Sequence, residues 1–326
     1  MKIAILGAGA WGSALAVSFS AGHEVVLWTR RPEACAELAR RRSSPYLPEV
    51  SFPGTLRVEP DLRKAVSDCE LAIMATSTSG LREAAAAVAA IRPSIRLLWA
   101  CKGFETSTRL LPHQVVSQVL PGSHQVGALS GPSFALEVAR GQPTALTVAS
   151  ADSQFAAATA SALNSPRLRI YSSTDLVGVE LGGALKNVIA IASGIADGLA
   201  LGRNAGAALI TRGLAEIVRL GIAMGGQPET FMGLTGLGDL VLTCTGDLSR
   251  NRAVGLELAK GKSLAAILAG LGHVAEGVQS ARAARDHARA LGVEMPITQA
   301  VCAVLFEAMA PSSAVQGLLA RDPKAE

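Results

Sequence analysis

A chain of 326 residues, 49% hydrophobic and 17% charged, can bury two sizeable cores, so two domains are expected and disorder is excluded. Its 30 basic and 26 acidic residues leave a net charge of only +4, and aromatics at 4% are too few for a base-stacking surface, so no nucleic-acid partner is expected. Five cysteines without a C-x-x-C pair and five histidines without ligand spacing argue against disulfides and metal, and for a reducing cytoplasm.

Lys2 to Leu6 reads as a buried parallel strand, and Ser13 to Ser20 as a helix. Between them lies Gly7-Ala8-Gly9-Ala10-Trp11-Gly12, a G-x-G-x-x-G motif. Gly7 permits the tight turn, Gly9 lets backbone approach a pyrophosphate, and Gly12 allows close helix–strand packing. The N–H groups at the helix start then face the phosphates. Met1-Lys2 and the apolar run behind them imitate a signal peptide, but the glycines, Trp11 and the missing cleavage site favour a buried strand and helix.

Glu24 to Trp28 is the next strand. An acid beyond it would bind the ribose 2′-hydroxyl of NAD, but Thr29-Arg30-Arg31 stands there. Arginines suit a 2′-phosphate, so NADPH is favoured over NADH. Pro32 begins a helix to Arg41, and Ser43 to Pro53, with three prolines, reads as a loop. Strands at Thr55 to Val58, Leu71 to Ala75 and Ile95 to Ala100 alternate with helices at Asp61 to Val66 and Ser79 to Ile91. The last strand runs into Cys101-Lys102-Gly103-Phe104-Glu105, which places a lysine where open α/β folds bind ligands. Gln125 to Leu129 leads into Ser130-Gly131-Pro132-Ser133-Phe134-Ala135, with Pro132 expected as the first helical residue. The Gly131 N–H and the Ser133 hydroxyl would then face the ligand edge. Thr144 to Ala149, a helix from Asp152 to Leu163 and Leu168 to Tyr171 complete the alternation.

From Asp175 onward the periodicity is helical, with helices expected at 205–224, 252–259, 263–271, 278–291 and 297–307. The fold class is therefore an α/β Rossmann-type domain with a mostly parallel sheet, residues 1–173, followed by an all-α domain, residues 174–326. The helical half opens with Val179 to Leu199. On this helix Gly182, Gly183, Lys186, Ala190, Ser193 and Asp197 share one narrow stripe. The small residues there would leave room for substrate and cofactor around Lys186. Asn187, about 100° round the helix, fits either support of the lysine or helix packing. The helix is apolar enough for a membrane span, but Lys186, Asn187 and Asp197 interrupt it, so no stable membrane insertion is expected. Asp239 is the single charge in the glycine-rich run Gly233 to Gly246, and is expected to cap a helix start. Ser249-Arg250-Asn251-Arg252 offers a hydroxyl, a guanidinium and an amide together, and a guanidinium grips phosphate as a fork. Glu276 and Gly277 open the next helix, with Val274 just before.

The motifs GAGAWG, CKGFE, LSGPSFA, LKNVIAIASGIADGL, GLGDLVLTCTG with SRN, and AEG at 275–277 occur in one order over most of the chain. Together they resemble the bacterial NAD(P)-dependent sn-glycerol-3-phosphate dehydrogenases. The resemblance implies interconversion of dihydroxyacetone phosphate and sn-glycerol 3-phosphate with NADPH or NADH, which supplies phospholipid synthesis, often by a homodimer. It makes Lys186 the general acid/base, with Asp239 orienting it and offsetting its charge. Lys102, Gly131, Ser133, Lys186, Asp239, Ser249, Arg250 and Asn251 match its positions for the small phosphate substrate. Ala10, Trp11, Arg30, Arg31, Ala135, Val274 and Glu276 match its cofactor contacts, with Lys102 and Arg250 near both ligands. Ala10 departs from the pattern, since a serine is common there. A dehydrogenase of the β-hydroxyacid or 6-phosphogluconate type also carries lysine and asparagine on a second-domain helix; CKGFE and SRN argue against it.

Overall fold

The computed structural model describes residues 1–120, 122, 125–271 and 275–322. It divides into two compact units, Met1–Leu176 and Val177–Glu326.

The first unit alternates strand and helix: β1 (Lys2–Leu6), α1 (Ala10–Phe19), β2 (Glu24–Trp28), α2 (Pro32–Arg41), β3 (Ser43–Ser44), β4 (Leu47–Ser51), β5 (Arg57–Glu59), α3 (Leu62–Val66), β6 (Leu71–Met74), α4 (Thr78–Ile91), β7 (Leu97–Trp99), α5 (Pro112–Val119), β8 (Val126–Ser130), α6 (Ala135–Ala139), β9 (Thr144–Ala149), α7 (Ser153–Leu163) and β10 (Leu168–Ser173). Eight strands form one sheet in the order β10-β9-β8-β7-β6-β1-β2-β5. Its pairs are parallel except β8 with β9, where Ala128 faces Ala149. Runs such as Ile3–Leu6 and Leu71–Met74 are buried throughout, as a sheet covered on both faces requires. Ile5, Leu27, Ile73, Leu98, Leu129 and Ile170 share one core with Leu15 and Phe19 of α1 and Phe155 of α7. Each such side chain contributes about 1.5–3 kcal/mol on full burial. Strand β1 lies between β2 and β6, so the strand order reverses there, and ligands of open α/β sheets bind outside the strand ends at such a point.

Local readings fail at several places in this unit. Ser43 to Pro53 is an antiparallel pair, with Ser43 opposite Ser51, and not a loop. Pro48 is tolerated because a two-stranded ribbon leaves one side of each strand unpaired. Leu47 and Val50 anchor the ribbon against Ala14, Val138 and Ala139. Pro132 does not start a helix; α6 begins at Ala135 with Phe134 before it. Helix α5, with proline at its first turn, adds an element absent from the expected series.

The second unit is helical: α8 (Leu176–Gly198), α9 (Arg203–Ala223), α10 (Pro228–Met232), a π-helical turn (Leu234–Gly238), α11 (Asp239–Thr245), α12 (Arg250–Ala259), α13 (Leu264–Leu271), α14 (Glu276–Ala290), α15 (Pro296–Phe306) and α16 (Pro311–Leu319). Helix α8 is its centre. By length and composition α8 could cross a membrane, yet 89% of its most apolar window is buried inside the protein. Val188, Ile191 and Ile195 pack on Val254 and Leu258 of α12, Val278 of α14 and Val301 of α15. The Glu216 carboxylate of α9 accepts from the N–H groups of Ile297 and Thr298, capping α15 from another element. Burial pushes that carboxyl above its ordinary range.

Candidate active site

The glycine motif has the geometry a dinucleotide needs. Gly7 has φ +122°, and a Cβ there would lie 2.7 Å from the Ala75 carbonyl oxygen. A Cβ on Gly12 would lie 1.8 Å from the Gly7 carbonyl oxygen, so helix and turn are in direct backbone contact. A Cβ on Gly9 would meet nothing within 4 Å, leaving an open approach to the backbone at that position. The first intrahelical bond of α1 runs from Ser13 N to Gly9 O, so the N–H groups of Ala10, Trp11 and Gly12 precede it. These residues fit a pyrophosphate.

Arg30 follows β2 and is exposed; its guanidinium meets Glu83 at 3.4 Å, with both side chains 75% exposed. Such a pair is worth little and leaves the guanidinium easy to recruit. Arg31 is the residue before the first turn of α2.

Lys102 follows β7, and two hydrogen bonds fix it. Its Nζ donates to the Gly131 carbonyl at 3.1 Å, and its own carbonyl accepts from Thr78 Oγ1 at 3.0 Å. Ser133 Oγ also donates to the Gly131 carbonyl, at 3.0 Å, so Lys102, Gly131 and Ser133 are brought together. One turn beyond Thr78, Arg82 grips the Glu105 carboxylate with two bonds of 2.8 Å. That fork holds the Glu105 carboxyl below its usual range. Ala135 is the first residue of α6.

In the helical unit, Lys186 is 6% exposed and Asp239 1%. Lys186 Nζ donates to Asp239 Oδ1 and, at 3.0 Å, to Thr243 Oγ1. Asp239 opens α11, but Gly238 is the residue that precedes its first turn, and no side chain caps it. The expected cap is therefore an ion pair: a buried ammonium competes better for the carboxylate than backbone N–H groups do. Thr243 was missed by sequence reasoning. Its signal was the four-residue spacing from Asp239, which stacks both side chains on one helix face. The Thr243 hydroxyl also donates to the Asp239 carbonyl at 2.6 Å, which sets its oxygen toward Lys186. Beside them, burial pushes the Cys244 thiol up to about 12, so it stays protonated and inert.

Gly182 of the α8 stripe does not leave the ligand room expected of it, and Gly194, outside the stripe, is as tightly packed. A Cβ on Gly182 would lie 2.5 Å from the Thr235 carbonyl oxygen, and one on Gly194 would lie 2.0 Å from that of Arg252. These glycines admit neighbouring backbone. Ser193 donates to the Cys244 carbonyl, and Asp197 pairs with Arg252 at 2.8 Å.

Ser249 precedes α12 and caps it, accepting from Arg252 N. Arg250 is exposed at the first position of that helix. Asn251 is buried and hydrogen-bonds Asn187 at 2.9 Å. Glu276 opens α14, and Val274 lies outside the described residues. A groove of about 960 Å³ between α8, α9, α15 and α16 is lined by none of these site residues.

A glycine cradle at the switch point of a parallel sheet, followed by a helical unit with a buried lysine–aspartate pair, is the plan of a nicotinamide-dependent dehydrogenase. Comparison with known proteins narrows the class. The N-terminal domain of NAD-dependent glycerol-3-phosphate dehydrogenase matches residues 2–156, and its C-terminal domain matches residues 175–316. The glycerol-3-phosphate dehydrogenase [NAD(P)+] of Nitrosospira multiformis is 54% identical over 331 residues, covering 100% of this chain and 99% of its own. That of Burkholderia lata is 55% identical over 333 residues, covering 100% of both chains. The crystal structure of glycerol-3-phosphate dehydrogenase from Coxiella burnetii superposes with a TM-score of 0.93 at 40% identity, covering 98% of this chain and 99% of its own. The chain belongs to the NAD-dependent glycerol-3-phosphate dehydrogenase family, and the β-hydroxyacid and 6-phosphogluconate reading is set aside.

Proposed function

We propose that the protein reduces dihydroxyacetone phosphate to sn-glycerol 3-phosphate, with Lys186 as general acid and, in the reverse direction, general base. The observation that carries this reading is the buried ammonium of Lys186 held between Asp239 and Thr243. When bound, the nicotinamide supplies the hydride for C2 of the substrate. The Lys186 ammonium polarises the C2 carbonyl and passes a proton to its oxygen, so that C2 gains one hydride and its oxygen one proton. Asp239 aims the ammonium and offsets its charge, and Thr243 limits its swing. Arg250, exposed at a helix start, forms a fork on the substrate phosphate, aided by the positive end of α12. Within the sheet unit, the polar cluster of Lys102, Gly131 and Ser133 is assigned to substrate binding.

Gly7, Gly9, Ala10, Trp11 and Gly12 hold the pyrophosphate side of the cofactor; Ala135 in the sheet unit and Glu276 in the helical unit are each assigned to cofactor binding. Arg30 and Arg31 favour NADPH over NADH by pairing with a 2′-phosphate. Five buried free thiols suit a cytoplasmic site of action, where the product feeds phospholipid synthesis.

The test is a spectrophotometric assay. Purified protein is mixed with dihydroxyacetone phosphate and either NADPH or NADH, and nicotinamide oxidation is followed; 3-hydroxy acids and 6-phosphogluconate serve as alternative substrates, assayed for reduction of NAD(P)+. Activity with dihydroxyacetone phosphate supports the reading. Absence of turnover with both cofactors, or preference for an alternative substrate, overturns it.

A further inference from the structure

We infer that Glu105 is a positioning residue for Lys102: gripped by Arg82, it ties the loop that carries Lys102 to α4 at a second point and so sets where the ammonium stands. The inference rests on the assignment of Lys102 to the substrate made above. Glu105 is 5% exposed. Arg82 Nε and Nη2 donate to its two carboxylate oxygens at 2.8 Å each, and the Thr108 hydroxyl donates to Oε2. Its backbone is held as well. The Glu105 N–H donates to the Leu110 carbonyl at 2.9 Å, and its carbonyl accepts from Arg109 N at 2.8 Å. Backbone and side chain together make Glu105 the fixed point of the segment between β7 and α5.

Lys102 lies three residues before this point. Thr78 Oγ1 donates to the Lys102 carbonyl at 3.0 Å. Thr78 and Arg82 are four residues apart on α4 and so share one helix face. Their backbone origins are about 6 Å apart along the axis, at about 1.5 Å per residue. Lys102 and Glu105 are joined by three peptide units, which reach about 11 Å at most. The loop is therefore fastened to one helix face at two places within its own span. Gly103, at φ +118°, makes the turn between them in a region that strains any side chain. A segment fastened at one place can pivot about it; fastened at two, it keeps its bearing on the helix. Lysine carries its charge on a flexible four-carbon stem, so where the ammonium can reach follows from where the backbone is rooted. Lys102 Nζ reaches the Gly131 carbonyl at 3.1 Å from that root. The choice of an arginine–carboxylate fork matters here, because two parallel bonds fix an angle as well as a distance.

The test is a kinetic double-mutant cycle on the full chain with NADPH saturating. Lys102→Ala should raise the KM for dihydroxyacetone phosphate about 10- to 150-fold, the worth of charge-assisted bonds to a phosphate. Glu105→Gln keeps the shape and breaks the fork. It should raise the same KM about three- to ten-fold, the net worth of one hydrogen bond, and leave turnover at saturation within about two-fold. In the Lys102→Ala background the same change should raise the KM no further, because no ammonium remains to be misplaced. A residue with a purely structural role would act alike in both backgrounds. Thr78→Val removes the other fastening and should follow the same pattern; it carries the test if Glu105→Gln does not fold. An unchanged KM in both Glu105→Gln and Thr78→Val, a loss of turnover without a change in KM, or an equal rise in KM with and without Lys102 would overturn the inference. If Lys102→Ala itself leaves the KM unchanged, the assignment of Lys102 fails and the inference falls with it. If Lys102→Ala raises the KM while Glu105→Gln and Thr78→Val do not, the assignment stands and the fastening alone fails.

Discussion

Replacing Lys186 with methionine separates catalysis from stability. Methionine matches the length of the stem but deletes the ammonium. Asp239, 1% exposed, is then left as a buried charge without its counter-ion. Breaking a buried pair from one side costs about 3–5 kcal/mol. For a unit of about 150 residues that lowers the melting temperature by roughly 6–20 °C. Turnover should fall by about 100-fold or more through loss of the general acid. The two effects are then told apart with the double variant Lys186→Met/Asp239→Asn, in which neither charge remains buried. Its melting temperature should recover most of the loss, because an amide can still accept from Thr243, while turnover should stay at the level of the single variant. The assay is calorimetry beside steady-state reduction of dihydroxyacetone phosphate at saturating NADPH. Recovery of turnover along with stability would refute the catalytic role and leave Lys186 as a structural ion-pair partner.

Arg250→Ala should raise the KM for dihydroxyacetone phosphate about 10- to 150-fold, the worth of charge-assisted bonds to a phosphate, and an unchanged KM would place the phosphate elsewhere. Arg30→Ala should weaken NADPH more than NADH in a fluorescence titration, and equal losses would remove the 2′-phosphate argument. Gly9→Ala should keep the parent melting temperature, since its Cβ meets nothing within 4 Å, yet weaken cofactor binding. Gly12→Ala should lower the melting temperature itself, because its Cβ would collide with the Gly7 carbonyl. Glu105, held below its usual range by Arg82, contributes stability that is fully present above the unfolded carboxylate value of about 4.3 and lost as pH falls through its lower folded value. The melting-temperature gap between the parent and Glu105→Gln should therefore narrow on acidification below that value; a gap independent of pH would show that the ionised form contributes nothing.

Patterns that depend on one element could be read directly. Alternation of buried strands with helices gave the first unit, because a sheet covered on both faces needs runs like Ile3–Leu6, and the G-x-G-x-x-G spacing located its ligand edge. Features set by a partner element could not. The β3–β4 ribbon is held by Leu47 and Val50 packing on α1 and α6, which no local propensity of a proline-rich stretch reveals. Asp239 at a helix start reads as a cap until Lys186, 53 residues away, is found against it. The short helices α5, α10 and α16 each open on a proline, a start signal that carries little weight when only two or three turns of periodicity follow it. Gly182 looks like empty space in a sequence, and only the facing Thr235 backbone shows the space to be filled.

The seam between α8 and α12 changes what a routine mutational scan would mean. Gly255 faces the Ile191 carbonyl, Gly194 faces that of Arg252, and Gly198 faces Ala259, each with less room than a methyl group needs. Alanine scanning is normally a subtraction; along this seam it is an addition. An alanine at Gly194 or Gly255 would force the two helix axes apart and carry Lys186 and Arg250 away from each other. Lost activity at those positions would measure a displacement of the scaffold, and a map of sensitive residues drawn from such a scan would mark the seam as a binding surface that no ligand touches.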